Sequence, residues 1–377
     1  MKLASVSGDM NAVASAHALA PRIAARAAAA DRGEATLAPD IADLRDAGLL
    51  VAPLGTGAGG VGLCSAAGAV ADGVDVLRVL GRANLAVARL FEGHVNAIKL
   101  VMLLGAPQMQ SQVARAVRAG ALMGVWGADG VRPVTVRDHG ASLRLDGAKR
   151  FASGLGLVSL AVVSATDADG AIRLVVAPAD DPARCDTGCW QVSGMRATAS
   201  GDFDATGLVL ARDALLGGPG DYHREPHFQG GVWRYAAAQL GGIEALVEAM
   251  RADLTARGRL SDPCQAARFA HGAMACETAR LWVRAAALTV EAPGAGPDSA
   301  TRSVLARLIV EQAAAETMTE VDRALGTAAH FTGHPVERLR RDLGFYLRQA
   351  APDQALHAAA LSLAAQAAAV GDFWSAP

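Results

Sequence analysis

The sequence predicts an α+β protein in three successive regions: helices, a module of short β-strands, then helices again. Apolar residues recur at helical spacing near both ends of the chain. Between them, β-branched and apolar runs alternate with Asp-Gly turns every 8–12 residues. With 377 residues, 52% of them hydrophobic and 19% charged, the chain can build several packed layers, and global disorder is excluded.

Residues 1–118 read as an α-helical domain. From Ala71 to Leu90 the apolar positions Val74, Leu77, Leu80, Leu85 and Leu90 follow helical spacing, and Val95, Ile98, Val101 and Leu104 continue it. Residues 119–215 form the β domain. Val134–Val136 precedes Asp138-His139-Gly140, Leu143–Leu145 precedes Asp146-Gly147, Leu157–Val163 precedes Asp167-Ala168-Asp169-Gly170, and Ile172–Val176 enters a Pro/Asp-rich loop. That rhythm predicts a small antiparallel barrel or sandwich. Residues 216–377 return to helix, where Leu305, Leu308, Ile309, Ala315, Met318 and Leu325 mark an amphipathic face after a Pro/Gly-rich linker, Glu291–Ala300.

The balance of 35 basic and 37 acidic residues, with no basic stripe, argues against nucleic-acid binding. No apolar run approaches the ~20 residues that span a bilayer, and no secretory leader is legible. Five scattered cysteines (Cys64, Cys185, Cys189, Cys264, Cys276) suit a reducing compartment, and no second Cys/His pair completes a metal site with Cys185 and Cys189. The expectation is a cytoplasmic protein without a metal. Only three basic residues are lysine, a composition that fits a GC-rich bacterial genome.

Gly55-Thr56-Gly57-Ala58-Gly59-Gly60 matches the spacing of a dinucleotide-binding turn, with Asp75 twenty residues beyond Gly55. That acid should end a second strand, but Asp75 lies inside a helical pattern and no βαβ series follows. The segment reads as a glycine-rich connection.

Four fragments in order resemble the acyl-CoA dehydrogenase family. Pro53 with Gly59-Gly60-Val61-Gly62 is similar to its turn before a helix. Leu145–Gly154, through Gly147-Ala148-Lys149 and Phe151, is similar to its strand–turn–strand signature. Trp190–Thr198 is similar to its Trp-x-x-x-Gly-x-Arg strand entry, and Pro335–Asp342 to its Pro-x-Glu-x-x-x-Arg-Asp element. The resemblance implies an N-terminal α-helical domain, a central antiparallel β-barrel domain and a C-terminal four-helix bundle, assembled as a homodimer or homotetramer around FAD. Phe151 would flank the flavin ring, Ser153 would hydrogen-bond near its N5, and Trp126 would be a further wall. Arg257 and Gln265 stand where the family holds the pyrophosphate, without the Phe-Gly that normally follows. Gly326 is the first glycine of a pair whose second member is Thr327 here, which leaves FMN as an alternative to FAD.

Removing an α-proton from an acyl thioester requires a carboxylate within hydrogen-bond reach of that carbon. The family's usual position falls on Ala350, and its alternative falls within the acid-free stretch Gln229–Gly242. Asp353, about one helical turn on, and Glu225, upstream, are the acids left as candidate bases. A monooxygenase branch of the same superfamily needs no such base, because reduced flavin reacts with oxygen and hydroxylates the substrate. In that branch His94 and Ser153 would take the catalytic positions, with Gln349 in place of a second histidine, and a separate flavin reductase would be a partner. Three readings stay open: an acyl-CoA dehydrogenase-like oxidoreductase acting on a small apolar substrate such as an acyl-CoA, a two-component monooxygenase, and a non-catalytic member. The plain reading of Phe151 and Trp190 is core packing, that of His94 is a structural histidine, and that of His357 is a solvated helix residue.

Overall fold

The computed structural model describes residues 11–374; the first ten residues, where the leader reading begins, and the last three lie outside it. Five helices lead: α1 (Ala12–Asp31), α2 (Ala38–Asp46), α3 (Val70–Ala83), α4 (Leu85–Leu104) and α5 (Pro107–Arg118). The helical spacing that runs through Ala71–Leu104 is two helices rather than one. Asn84 adopts φ −162°, which breaks the ladder, and its side chain then accepts the Ala86 N–H at 2.9 Å to cap α4. The segment Leu49–Leu63 is a turn, and a Cβ on Gly60 would lie 2.1 Å from the Leu54 carbonyl, so glycine is required there by close backbone approach.

Ten strands follow: β1 (Leu122–Trp126), β2 (Thr135–Asp138), β3 (Ser142–Asp146), β4 (Ala148–Ala152), β5 (Val158–Thr166), β6 (Ile172–Pro178), β7 (Cys185–Asp186), β8 (Gly201–Asp204), β9 (Leu208–Ala211) and β10 (Leu215–Leu216). They form one sheet ordered β10-β6-β5-β2-β3-β9, with β1 also on β5, and a second sheet ordered β4-β8-β7. The ladders are antiparallel except along β5, where β1 runs parallel beside Val158–Val163 and β2 touches at Thr135–Thr166. β5 is accordingly almost continuously buried, whereas β3 alternates. The lysine of the Gly-x-Lys fragment, Lys149, is fully buried and joins the sheets. Its ammonium donates to Asp129 at 2.6 Å, to Ser164 Oγ on β5 at 2.8 Å and to the Gly127 carbonyl at 3.2 Å.

The closing helices are α6 (Trp233–Ala256), α7 (Pro263–Val290), α8 (Ser299–Leu325), α9 (Pro335–Tyr346) and α10 (Pro352–Ala364). α3 crosses α6 at backbone contact, since a Cβ on Gly81 would meet the Ala238 carbonyl at 2.1 Å and one on Gly241 the Arg78 carbonyl at 2.1 Å. Of the amphipathic face expected on α8, Leu325 alone lies in the core. The buried residues are mostly small, Ala306, Val310, Ala313 and Ala314 on α8 and Ala275, Ala279 and Ala286 on α7, while Leu305, Leu308, Ile309 and Met318 are half-buried, Ala315 is exposed and Leu325 is buried. Alanine lets the two helices approach closely and pushes the large residues to the rim. Nor is Glu291 a linker residue: it is a buried ion-pair partner of Arg234 and Lys99.

Candidate functional site

A cavity of about 230 Å³ opens between the β module, α4 and the end of α9. Its aromatic wall begins at Phe151. The β4–β8 register slips between Lys149 and Ala152, and Phe151 takes a left-handed φ of 57° that leaves its ring 53% exposed. A bulge re-aims a side chain, and a bulky left-handed residue costs of order 1–3 kcal/mol, so the surrounding fold holds this ring outward against its preference. The Arg150 guanidinium lies 4.5 Å from its centroid. Trp190 packs edge-on to Phe151 and to Phe345, with centroids 6.2 and 5.5 Å apart, and its indole N–H donates to the Met195 carbonyl.

A row of hydroxyls faces the aromatics. Ser200 donates to Ser153 Oγ at 3.2 Å and lies 2.8 Å from Thr198 Oγ1. Met195, with φ 57°, shapes this edge, and its N–H is held at 2.7 Å by Asp342. The fragments Trp190–Thr198 and Pro335–Asp342 therefore meet. A Cβ on Gly194 would lie 2.0 Å from the Arg341 carbonyl, and Asp31 receives both Arg196 and Arg341 at 2.7 and 2.8 Å. Burial raises the Asp31 carboxyl, but these two guanidinium partners outweigh it and hold the group below its usual range.

The helical wall is Arg89 of α4 with Tyr346, Arg348 and Gln349 around the end of α9. Arg89 donates to Glu92 at 2.9 Å, and burial raises the Glu92 carboxyl above its ordinary range despite that partner. Tyr346 is buried, and its hydroxyl has no hydrogen-bond partner among the described residues. No carboxylate lines the cavity.

Of the residues expected at a site, Phe151 and Ser153 line this slot. Trp126 does not: it is 2% exposed, packs on Phe203 at 4.9 Å, and donates its indole N–H to the Ser153 carbonyl, bracing the slot from behind. His94 lies outside the slot lining. It is fully buried, with Nε2 2.8 Å from the Leu50 carbonyl and Nδ1 accepting the Met123 N–H at 3.0 Å. Both ring nitrogens brace α4 to its neighbours and none is left for substrate. Asp353 is exposed in the first turn of α10, outside the slot, because Ala351 at φ 50° and Pro352 redirect the chain. Glu225 is occupied capping the Gln229 and Gly230 N–H groups.

Arg257, Gln265 and Gly326 lie at one end of the helical bundle. Gln239 of α6 donates to the Tyr346 carbonyl beside the slot. Arg257 follows eighteen residues later, ~27 Å along a helix at 1.5 Å per residue. It pairs with Asp253 at 2.9 Å, while Gln265 is buried with Oε1 unpartnered and Gly326 ends α8 at φ 60°. One chain does not bring these three onto the slot. Sequence reasoning missed Arg89, Tyr346 and Glu92, although a signal exists: Arg89, Glu92, Asn96 and Lys99 form a polar stripe at 3–4-residue spacing on an otherwise apolar helix.

Solved structures superpose over nearly the whole chain. The dibenzothiophene monooxygenase of a Paenibacillus species, solved with FMN bound, aligns with a TM-score of 0.82 at 21% identity, covering 93% of this chain and 96% of that one. Butyryl-CoA dehydrogenase from Megasphaera elsdenii aligns with a TM-score of 0.81 at 17% identity, over 97% of this chain and 100% of its own. The chain has the acyl-CoA dehydrogenase fold. A nitrososynthase from Micromonospora carbonacea shares the fold at a TM-score of 0.80 and 21% identity, over 97% of this chain and 100% of that one. No protein-family model and no curated protein sequence matches the chain. Among the described residues, no helix is long and apolar enough to cross a membrane, and no group of three or more His, Cys, Asp or Glu side chains is placed to hold a metal.

Proposed function

We propose that the chain is a flavin-dependent oxidoreductase of the oxygen-using, monooxygenase type, acting on a small molecule in the slot beside Phe151. The observation that carries this reading is the lining itself: aromatic rings on one side, hydroxyls, Gln349 and the guanidinium groups of Arg89 and Arg348 on the other, and among the described residues no carboxylate placed to remove an α-proton. The residues present fit the ring of a flavin. Phe151 and Trp190 offer faces to a flat heteroaromatic, and Ser153, which accepts from Ser200, keeps its own hydroxyl proton to donate to the ring edge, while Thr198 donates to the Met195 carbonyl. A bound reduced flavin would supply the electrons for oxygen chemistry. Ser153 would hold the ring edge, Trp190 and Phe345 would exclude water, and the guanidinium of Arg89 would orient a polar substrate group.

FAD and FMN share that ring. The slot accounts for it alone, and the distant Arg257, Gln265 and Gly326 would reach the remainder of FAD only from a second copy of the chain. Met274, Leu281 and Leu288, exposed at seven-residue spacing on α7, support a homodimer or homotetramer. An oxygen-using enzyme without its own reductant site would take reduced flavin from a separate reductase. The cysteines, free among the described residues, support the reducing, cytoplasmic setting expected from the sequence. A second reading, direct desaturation of an acyl thioester, draws on one observation: Glu92, behind Arg89, is a buried carboxylate of raised basicity.

Titrating the purified protein with FMN and FAD while following flavin fluorescence tests the slot. Saturable quenching that weakens at least tenfold in Phe151→Ala and Trp190→Ala supports it, and no quenching by either flavin overturns it.

A further inference from the structure

A second cavity, of about 180 Å³, lies between α4, β1 and the start of α6, beside Lys99 and Arg234 rather than Arg89. Its body is aromatic and aliphatic, with Tyr222, Phe228 and Tyr235 facing Leu100 and Val125. Its charge is uneven. Lys99 donates to both oxygens of Glu291 at 2.6 and 2.7 Å, and Arg234 pairs with the same carboxylate. The other nearby acids are committed elsewhere: Glu92 to Arg89 and Asn96, Glu225 to the Gln229 and Gly230 N–H groups. Two cations thus share one anion. Arg234 is 1% exposed and its Nε has no partner among the described residues; neither has Nδ1 of His227, which also lines the wall.

We propose that this cavity binds the carboxylate of a small aromatic or branched organic acid, its anion completing the Lys99–Arg234–Glu291 cluster and its apolar body lying among Tyr222, Phe228 and Leu100. A buried ion cluster with surplus positive charge is stabilised by an added anion, and a carboxylate matches the planar fork of an arginine. Burial first, then repulsion from Arg234, pulls Lys99 down to about 8 despite Glu291, so the ammonium gains from a second negative partner. Leu103, 43% exposed at the rim, marks the way in. The site stands apart from the flavin slot and does not depend on that slot's occupant.

Calorimetric titration of the full chain with benzoate, and with benzamide as its uncharged counterpart, tests the assignment. Benzoate is expected to bind at one site per chain at least tenfold more tightly than benzamide. Lys99→Gln should weaken it at least tenfold, Leu103→Trp at the rim should abolish it, and Trp190→Ala in the flavin slot should leave it unchanged. Equal affinity for the two compounds, no binding at millimolar benzoate, or insensitivity to both Lys99→Gln and Leu103→Trp would overturn the proposal. A protein that binds benzoate but no flavin would refute the flavin reading and leave this one standing.

Discussion

Replacing His94 with leucine should change how stability responds to acid and leave flavin binding intact. The folded imidazole is neutral, because protonating Nδ1 would set an N–H against the Met123 N–H that it now accepts. Burial, partly offset by the Leu50 carbonyl, lowers its pKa from 6.5 to about 4. Between those values the unfolded chain binds a proton that the folded chain does not, so stability falls as pH falls. At 1.36 kcal/mol per unit, going from pH 7 to pH 5 removes about 2 kcal/mol through this residue. His94→Leu also orphans the Leu50 carbonyl and the Met123 N–H, at roughly 1–3 kcal/mol each. Urea denaturation at both pH values should show a variant less stable at pH 7 that loses about 2 kcal/mol less than wild type on acidification, with unchanged flavin quenching. An unchanged acid response, or lost flavin binding or activity at full stability, would refute the reasoning and restore His94 to the site.

Three further outcomes follow from the packing. Tyr346→Phe removes a buried hydroxyl without a partner and should leave the thermal midpoint equal or higher; a loss above about 1 kcal/mol would show a partner that the geometry lacks. Gly81→Ala drives a methyl into the Ala238 carbonyl at the α3–α6 crossing and should cost about 3 kcal/mol in urea denaturation. Glu291→Gln leaves Lys99 and Arg234 as neighbouring buried cations and should cost about 3–5 kcal/mol, with a near-neutral result ruling out the cluster as drawn.

The order of elements was legible because local chemistry dictates it. Asp138-His139-Gly140 must turn, with Gly140 at φ 82°, and it folds β3 back on β2 in an antiparallel ladder, whereas Gly147, at φ 117°, passes the chain from β3 in one sheet to β4 in the other. The four recognised fragments are mostly joints: Lys149 staples the sheets, and Gly194, Arg196, Arg341 and Asp342 dock α9 on the loop before β8. The joints hold elements distant in sequence at fixed geometry, so the residue types they need carry the signal of the fold. The site was less legible because it is assembled from partners distant in sequence. Glu291 read as linker since its cations are Lys99 and Arg234, 192 and 57 residues away. His94 drew attention as a lone histidine, yet its partners are backbone atoms of Leu50 and Met123, which no residue pattern encodes. The α8 face was misjudged because periodicity weighs leucine above alanine, while the helix pair packs through alanine.

The absence of a carboxylate from the slot is tested most directly by anaerobic titration of the flavin-loaded protein with a panel of acyl-CoA thioesters of different chain lengths, following the oxidised flavin absorbance near its visible maximum. The oxygen-using account predicts that the band persists with every thioester, and that the same preparation, chemically reduced, reoxidises when oxygen is admitted. Bleaching by any thioester would contradict it and make Glu92→Gln the next variant to examine.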